Sequence, residues 1–274
     1  MITEKQIQFN NVLGYYKVIG EGEPLLLLHG FCGEGNVWNN LIAFLPKQYK
    51  LIVPDLPGHG QAVFSFQSSD FSVENVTIEY YAEYVKAILE QEQVEQVTFV
   101  GHSMGGYTAL AFAEMFPQQV KKLCLFHSHP YEDEPQKKEN RKRAIKFIEK
   151  FGSKLFVEEL YNNLFAESFL KLQVEEVDAL KTMAAQYSKE TLIASCHAMI
   201  NRKDRSKAMQ QLQVPVLLII GKEDKAIEKE KSLNMCALAK ITQVEIIESV
   251  GHMGMIETPE QTAKMICNFM TLQL

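Results

Sequence analysis

The sequence predicts an α/β fold: a mostly parallel, eight-stranded sheet flanked by helices. Two observations carry this. Short apolar runs alternate with longer segments of helical periodicity, as expected where helices cover a parallel sheet. The runs are also continuous instead of alternating, which marks strands buried on both faces. In chain order, Ile7 to Ile19 reads as two antiparallel strands turning near Asn10 and Asn11. Leu25 to Leu28 is the first buried strand, ended by His29-Gly30; Leu51 to Val53 is stopped by Pro54, and Val97 to Val100 by Gly101. Val120 to Phe126, Val214 to Ile220 and Val244 to Ile247 complete the set. Between them, Thr77 to Gln91, Met104 to Phe116 and Pro259 to Leu272 carry helical patterning. Thr258 stands as N-cap of the last helix, with Pro259 at its first position and Gln261 at the third.

Residues 130–205 break this rhythm. They hold a single glycine, Gly152, and apolar residues recur at helical spacing, as in Ala144, Ile145, Phe147, Ile148 and Phe151. The expectation is a cap (lid) of three or four helices over residues 130–205, inserted into a core formed by 1–129 and 206–274. The basic residues of this segment, including Lys137, Lys138, Arg141 and Lys142, are interspersed with Glu132, Asp133, Glu134 and Glu139. They read as a solvated helix face of mixed pairs, the alternative being a cationic surface for an acidic carrier.

The 274 residues are 46% hydrophobic and 23% charged, suited to a soluble chain burying a large core. A net charge of -6 gives no reason to expect nucleic acid as a partner. No apolar stretch approaches the roughly 18 residues that span a membrane, and the polar opening after Met1 lacks a signal-peptide core. The five cysteines, Cys32, Cys124, Cys196, Cys236 and Cys267, are scattered without a CxxC pair. They suggest neither disulfides nor a metal site, so a reducing, cytoplasmic location is expected.

The strongest local signal is Gly101-His102-Ser103-Met104-Gly105, a GxSxG match between an apolar strand and a helical run. Its glycines permit a tight strand-to-helix turn that holds the serine in a strained conformation. The helix amino terminus beside Ser103 favours a developing negative charge. Serine needs a base to become a nucleophile. Of seven histidines, His252 directly follows the last apolar strand, in a loop that Gly251 allows to turn. The third partner must accept a hydrogen bond from that imidazole. Glu223 and Asp224 both follow the preceding strand, and Asp224 is preferred because it lies further along the turn. The order serine, acid, histidine is the one this motif requires. Glu248, at a strand end, is the weaker acid candidate.

Four blocks now support a resemblance: His29-Gly30-Phe31-Cys32-Gly33 with Trp38, Asp55 to Gly60, Gly101 to Gly106, and Gly221 to Asp224 with Gly251-His252. Together they resemble the α/β-hydrolase fold superfamily, in the branch of small esterase-like serine hydrolases with a helical cap. The resemblance covers roughly Leu25 to Ser128, and Val214 to the carboxyl terminus. It implies that the backbone N–H groups of Phe31 and Met104 form an oxyanion hole, and that Trp38 packs beneath the oxyanion loop. One departure is Gln61, where a small residue usually follows the Gly58-His59-Gly60 block. His29, Cys32, His102, His127 and His129 are candidates for lining the pocket at this edge.

The expected activity is hydrolysis of a small carboxylic ester through an acyl-enzyme, with no cofactor and no metal. The same triad serves thioester, carbon–carbon, acyl-transfer or cofactor-free peracid chemistry, and a small-molecule receptor is a third reading. A serine at the nucleophile position argues against the dehalogenases and epoxide hydrolases of this fold, which use aspartate.

Overall fold

Leu25 to Leu28 explain why the sheet is central. Leu25 and Leu27 pack into the apolar cluster on one face, Leu26 and Leu28 into the cluster on the other. The computed structural model describes residues 2–65 and 72–272; Met1 and residues 66–71 and 273–274, within the expected core, lie outside them.

The strands are β1 (Ile2–Phe9), β2 (Val12–Ile19), β3 (Glu23–Leu28), β4 (Tyr49–Asp55), β5 (Val63–Phe64), β6 (Val97–His102), β7 (Val120–Phe126), β8 (Val216–Gly221) and β9 (Thr242–Ile247). They form one sheet in the order β1-β2-β4-β3-β6-β7-β8-β9, with β5 beside β2. β1, β2 and β5 pair antiparallel, whereas every neighbouring pair from β4 through β9 is parallel. Two differences from the sequence reading stand out. The two-residue β5 makes a ninth strand among the described residues. β1 begins at Ile2, not Ile7; it is a largely exposed edge strand without the apolar run that marks the others.

On one face lie α2 (Ile78–Gln91) and α3 (Met104–Met115); α1 (Asn39–Ile42), α11 (Gly254–Glu257) and α12 (Pro259–Thr271) cover the other. Thr77 caps α2 as a side chain should, accepting from Tyr80 N at 3.0 Å. Thr258 does not cap α12. A turn of helix, α11, already precedes it, and its hydroxyl turns back toward Gly254 O.

Residues 130–205 hold five helices where three or four were expected: α4 (Pro135–Phe151), α5 (Ser153–Tyr161), α6 (Glu167–Leu172), α7 (Val174–Ala184) and α8 (Lys189–Ile200). Gln173, off helical geometry at φ −122° and ψ 45°, divides α6 from α7 without a glycine or proline to announce it. α9 (Ser206–Gln211) leads into β8, and α10 (Lys229–Met235) joins β8 to β9.

Buried histidines hold the strand ends. The His29 ring donates through Nδ1 to Gly30 O and accepts through Nε2 from Leu56 N, both at 2.8 Å, tying the end of β3 to that of β4. Burial, reinforced by neighbouring His59, pushes its pKa down to about 3; burial pushes that of His59 down to about 4. Both rings are therefore neutral in the fold, while the unfolded chain protonates them near pH 6.5. Their stabilising contribution is complete above that value and is lost as pH falls from 6.5 toward the folded values. By pH 5 the loss reaches about 2 kcal/mol per ring. Urea unfolding at pH 7 and pH 5 should show this loss, and His29→Gln should reduce the difference by about 2 kcal/mol.

Candidate active site

The register of β6 through β9 brings four strand ends to one edge: His102 pairs with Phe126, Phe126 with Ile219, and Gly221 with Ile247. Ser103 follows β6 with φ 50° and ψ −113°, a strained conformation for a residue with a side chain. Two hydrogen bonds to β7 and the loop after it hold it. Ser103 N donates to Phe126 O at 3.0 Å, and Ser128 Oγ donates to Ser103 O at 2.8 Å. The turn is also packed too tightly for side chains: a Cβ on Gly101 would stand 2.6 Å from Gly105 O, and one on Gly105 would collide with Leu28 O.

His252, after β9, is bonded through Nδ1 to Asp224 Oδ2 at 2.8 Å. The other carboxylate oxygen, Oδ1, accepts from the N–H groups of Ala226 and Ile227 at 2.8 and 3.0 Å. Burial alone would raise the Asp224 pKa, but the His252 imidazole bonded to it holds it far below the carboxylate range, so it remains ionised. Glu223, the rival acid, faces solvent, and Glu248 is exposed and paired with Lys222.

His127 Nδ1 lies 3.4 Å from Asp224 Oδ2, yet it already accepts the Gly221 N–H at 3.1 Å. Burial lowers its pKa, so the ring is neutral, carries its proton on Nε2 and gives none to the carboxylate. The three side chains of Asp224, His127 and His252 bring ligand-type atoms within 4.8 Å. They do not fit a metal: His252 Nδ1 is engaged with the carboxylate and His127 Nδ1 with a backbone N–H.

A cavity of about 490 Å³ opens over this edge, within the range of small-molecule sites. Ser103, His102, His252 and Phe31 line it together with apolar side chains of the inserted helices, among them Phe156, Leu160 and Met199. Among the described residues, neither the Phe31 nor the Met104 backbone N–H has a hydrogen-bond partner, which leaves both donors free.

Of the five residues expected to line the pocket, only His102 does; it also fastens the Ser103 turn to the His252 loop, donating through Nε2 to His252 O at 2.9 Å. The expectation fails for His29, Cys32, His127 and His129, which are buried behind the cavity wall. His29 and His127 are spent on backbone bonds, His129 accepts from Tyr131 N at 3.2 Å, and Cys32 is sealed with its thiol pKa pushed well up by burial. Trp38 is fully buried, edge-on to Phe126 and His102.

Sequence reasoning missed the residues that fasten the loops. Tyr161 and Tyr187, from the inserted segment, donate to Cys32 O and Gly33 O at 2.8 and 2.9 Å. Glu257 accepts from the N–H groups of Gly251, Met253 and Ala166 at about 3 Å, clamping the His252 loop to the insertion. His252 N donates to Leu164 O at 2.7 Å beside it. Only the five-residue spacing from His252 hints at Glu257, because its partners are backbone groups from two distant segments.

The family model for the "alpha/beta hydrolase fold" matches residues 23–259. An uncharacterised protein of Mycobacterium tuberculosis is 38% identical over 127 residues, 45% of this chain and only 35% of its own length. The chain thus spans about a third of the length of the first curated relatives it matches. Human monoacylglycerol lipase ABHD6 is 27% identical over 266 residues, covering 92% of this chain and 76% of that protein. Among solved structures, an esterase from Thermogutta terrifontis superposes with a TM-score of 0.88 at 25% identity, over 98% of both chains. An enol-lactonase from Burkholderia xenovorans gives 0.88 at 18% identity, over 98% of this chain and 100% of that one, a likeness of fold. The chain belongs to the α/β-hydrolase fold family.

Glu257→Gln leaves one amide oxygen where a carboxylate serves three N–H donors. Denaturant unfolding should register a loss of about 1–3 kcal/mol, the range for orphaned buried polar groups. If His252 is the general base proposed below, ester turnover should fall in kcat with KM little changed, since Glu257 holds the His252 loop without lining the cavity.

Proposed function

We propose that this protein is a serine hydrolase that cleaves a small carboxylic ester through an acyl-enzyme intermediate. Ser103 is the nucleophile, His252 the general base and Asp224 its orienting partner. The observation that carries this reading is the 2.8 Å bond from His252 Nδ1 to an ionised, buried Asp224, with His252 and Ser103 sharing one cavity. With Nδ1 committed, the remaining ring nitrogen, Nε2, is the one that takes the Ser103 proton as its oxygen attacks the ester carbonyl. The free N–H groups of Phe31 and Met104 receive the oxyanion, and the amino terminus of α3 adds its partial positive charge. Collapse of the intermediate expels the alcohol, which takes the proton from His252. A water molecule, deprotonated by the same ring, then attacks the acyl-enzyme and releases the acid.

The helices between β7 and β8 act as the cap, enclosing the acyl or alcohol portion. No described helix is long and apolar enough to cross a membrane, and all five cysteines are unpaired, which supports a cytoplasmic setting. The substrate is a small molecule and no cofactor takes part.

A fluorophosphonate probe should label the native protein and leave Ser103→Ala unlabelled; failure to label folded native protein overturns the proposal. In ester assays Ser103→Ala should lose at least about 1,000-fold in kcat, and Asp224→Asn about 1,000- to 10,000-fold. Glu223→Gln, altering only an exposed neighbour, should stay within about threefold of native, the size of effect expected of surface changes away from such features.

A further inference from the structure

The cavity has a second polar end. Arg141, on α4, was expected on a solvated helix face. It instead turns inward to line the cavity, with its side chain 16% exposed. Its Nε donates to Asp133; among the described residues its two terminal nitrogens have no partner. Lys137, one turn earlier on α4, also lines the cavity, its Nζ donating to Ala226 O at 2.6 Å. Tyr107 borders the same region. It lies four residues beyond Ser103 on α3, about 6 Å along the helix axis.

Charge at this end does not balance. The buried carboxylate of Asp133 faces two guanidinium groups, Arg141 and Arg202, the latter 2.8 Å away and stacked over the Tyr107 ring at 4.1 Å. Lys231 stands between Glu134 and Glu228 at 2.9 and 3.6 Å, and Lys225 also lines the cavity. Leaving aside the exposed Lys225, four cations (Arg141, Arg202, Lys137 and Lys231) thus meet three carboxylates on a chain whose net charge is -6. Nearby His129 is held well below its usual pKa by burial and then by the Arg202, Lys137 and Lys231 charges. An excess positive charge withdrawn from water is unfavourable unless an anion answers it. A guanidinium fork with both terminal nitrogens open is suited to a carboxylate.

We propose that Arg141 and Lys137 form an anion subsite of the cavity, and that the substrate is a small ester carrying a free carboxylate a few bonds from its scissile carbonyl. The assignment rests on the ester-hydrolase reading of the same cavity and narrows it. Arg141 binds the carboxylate bidentately while Lys137 neutralises it from the neighbouring turn. Tyr107 sets the distance from Ser103.

The test compares two para-nitrophenyl esters of similar acyl length, the hemiester of glutarate and the neutral pentanoate. Native protein should favour the hemiester by about 10- to 100-fold in kcat/KM, the range for a hydrogen-bonded charge, and Arg141→Gln should bring the ratio near one. A native ratio at or below one, or a ratio unchanged in Arg141→Gln, overturns the inference. If Arg141→Gln does not fold, seen as loss of its cooperative unfolding transition, the ratio is read in Lys137→Met, where it must fall. Glutarate should inhibit competitively; inhibition by inorganic phosphate alone would reject the carboxylate. If native protein hydrolyses neither ester, the hydrolase reading fails separately. Calorimetry with monomethyl glutarate and methyl pentanoate then decides the subsite: tighter binding of the charged ligand, lost in Arg141→Gln, supports it, and equal affinity overturns it.

Discussion

The backbone at Ser103 is held where a side-chain-bearing residue does not rest by choice, and the geometry of the site follows from how that strain is kept. The φ of 50° at the end of β6 is maintained by a bond to Phe126 O, by Ser128 gripping the Ser103 carbonyl, and by glycines that let β6 and α3 meet closely. Released from any of these, the turn would relax toward ordinary helix or strand geometry. Because the turn depends on β7 as well as β6, the parallel sheet is what makes this half-buried, cavity-lining serine possible. A parallel sheet also places every crossover so that strand ends meet at one edge.

The same edge explains the division of labour among the histidines. Seven occur, and five are almost fully buried around this edge in addition to His252. Four of those five, His29, His102, His127 and His129, lie beside the strands or turns of the site and accept from or donate to backbone groups that no strand partner reaches. Such rings serve as neutral fasteners of the backbone, His29 through both ring nitrogens, with burial depressing their basicity. Only His252 combines cavity exposure with an ionised carboxylate partner.

The inserted helices are mechanically part of the site. Tyr161 and Tyr187 hold the loop that offers the Phe31 N–H, while Leu164 and Ala166 hold the loop that carries His252. Gly251 makes this second contact possible, because a Cβ there would stand 2.6 Å from Ala166 N. Movement of the insertion would therefore disturb both loops together. The acidic clamp at Glu257 and the basic wall around Arg141 are likewise assembled from segments far apart in the chain.

The sequence by itself determined the sheet, its central strands and the candidates Ser103, His252 and Asp224. These are legible because apolar runs, glycines and strand-end positions are local signals that backbone sterics and burial impose on neighbouring residues. Local signals could not rank Asp224 over Glu223 by contact; that difference appears once β8 and β9 pair and only Asp224 turns inward to His252. Nor could they separate His102, which reaches the cavity, from His29, Cys32, His127 and His129, which do not. The direction in which Arg141 and Lys137 face was equally hidden, since a helix of mixed charge looks solvated until another surface covers one side of it. Tertiary structure decided these points because each depends on which distant backbone and side-chain groups meet a residue once the chain is packed.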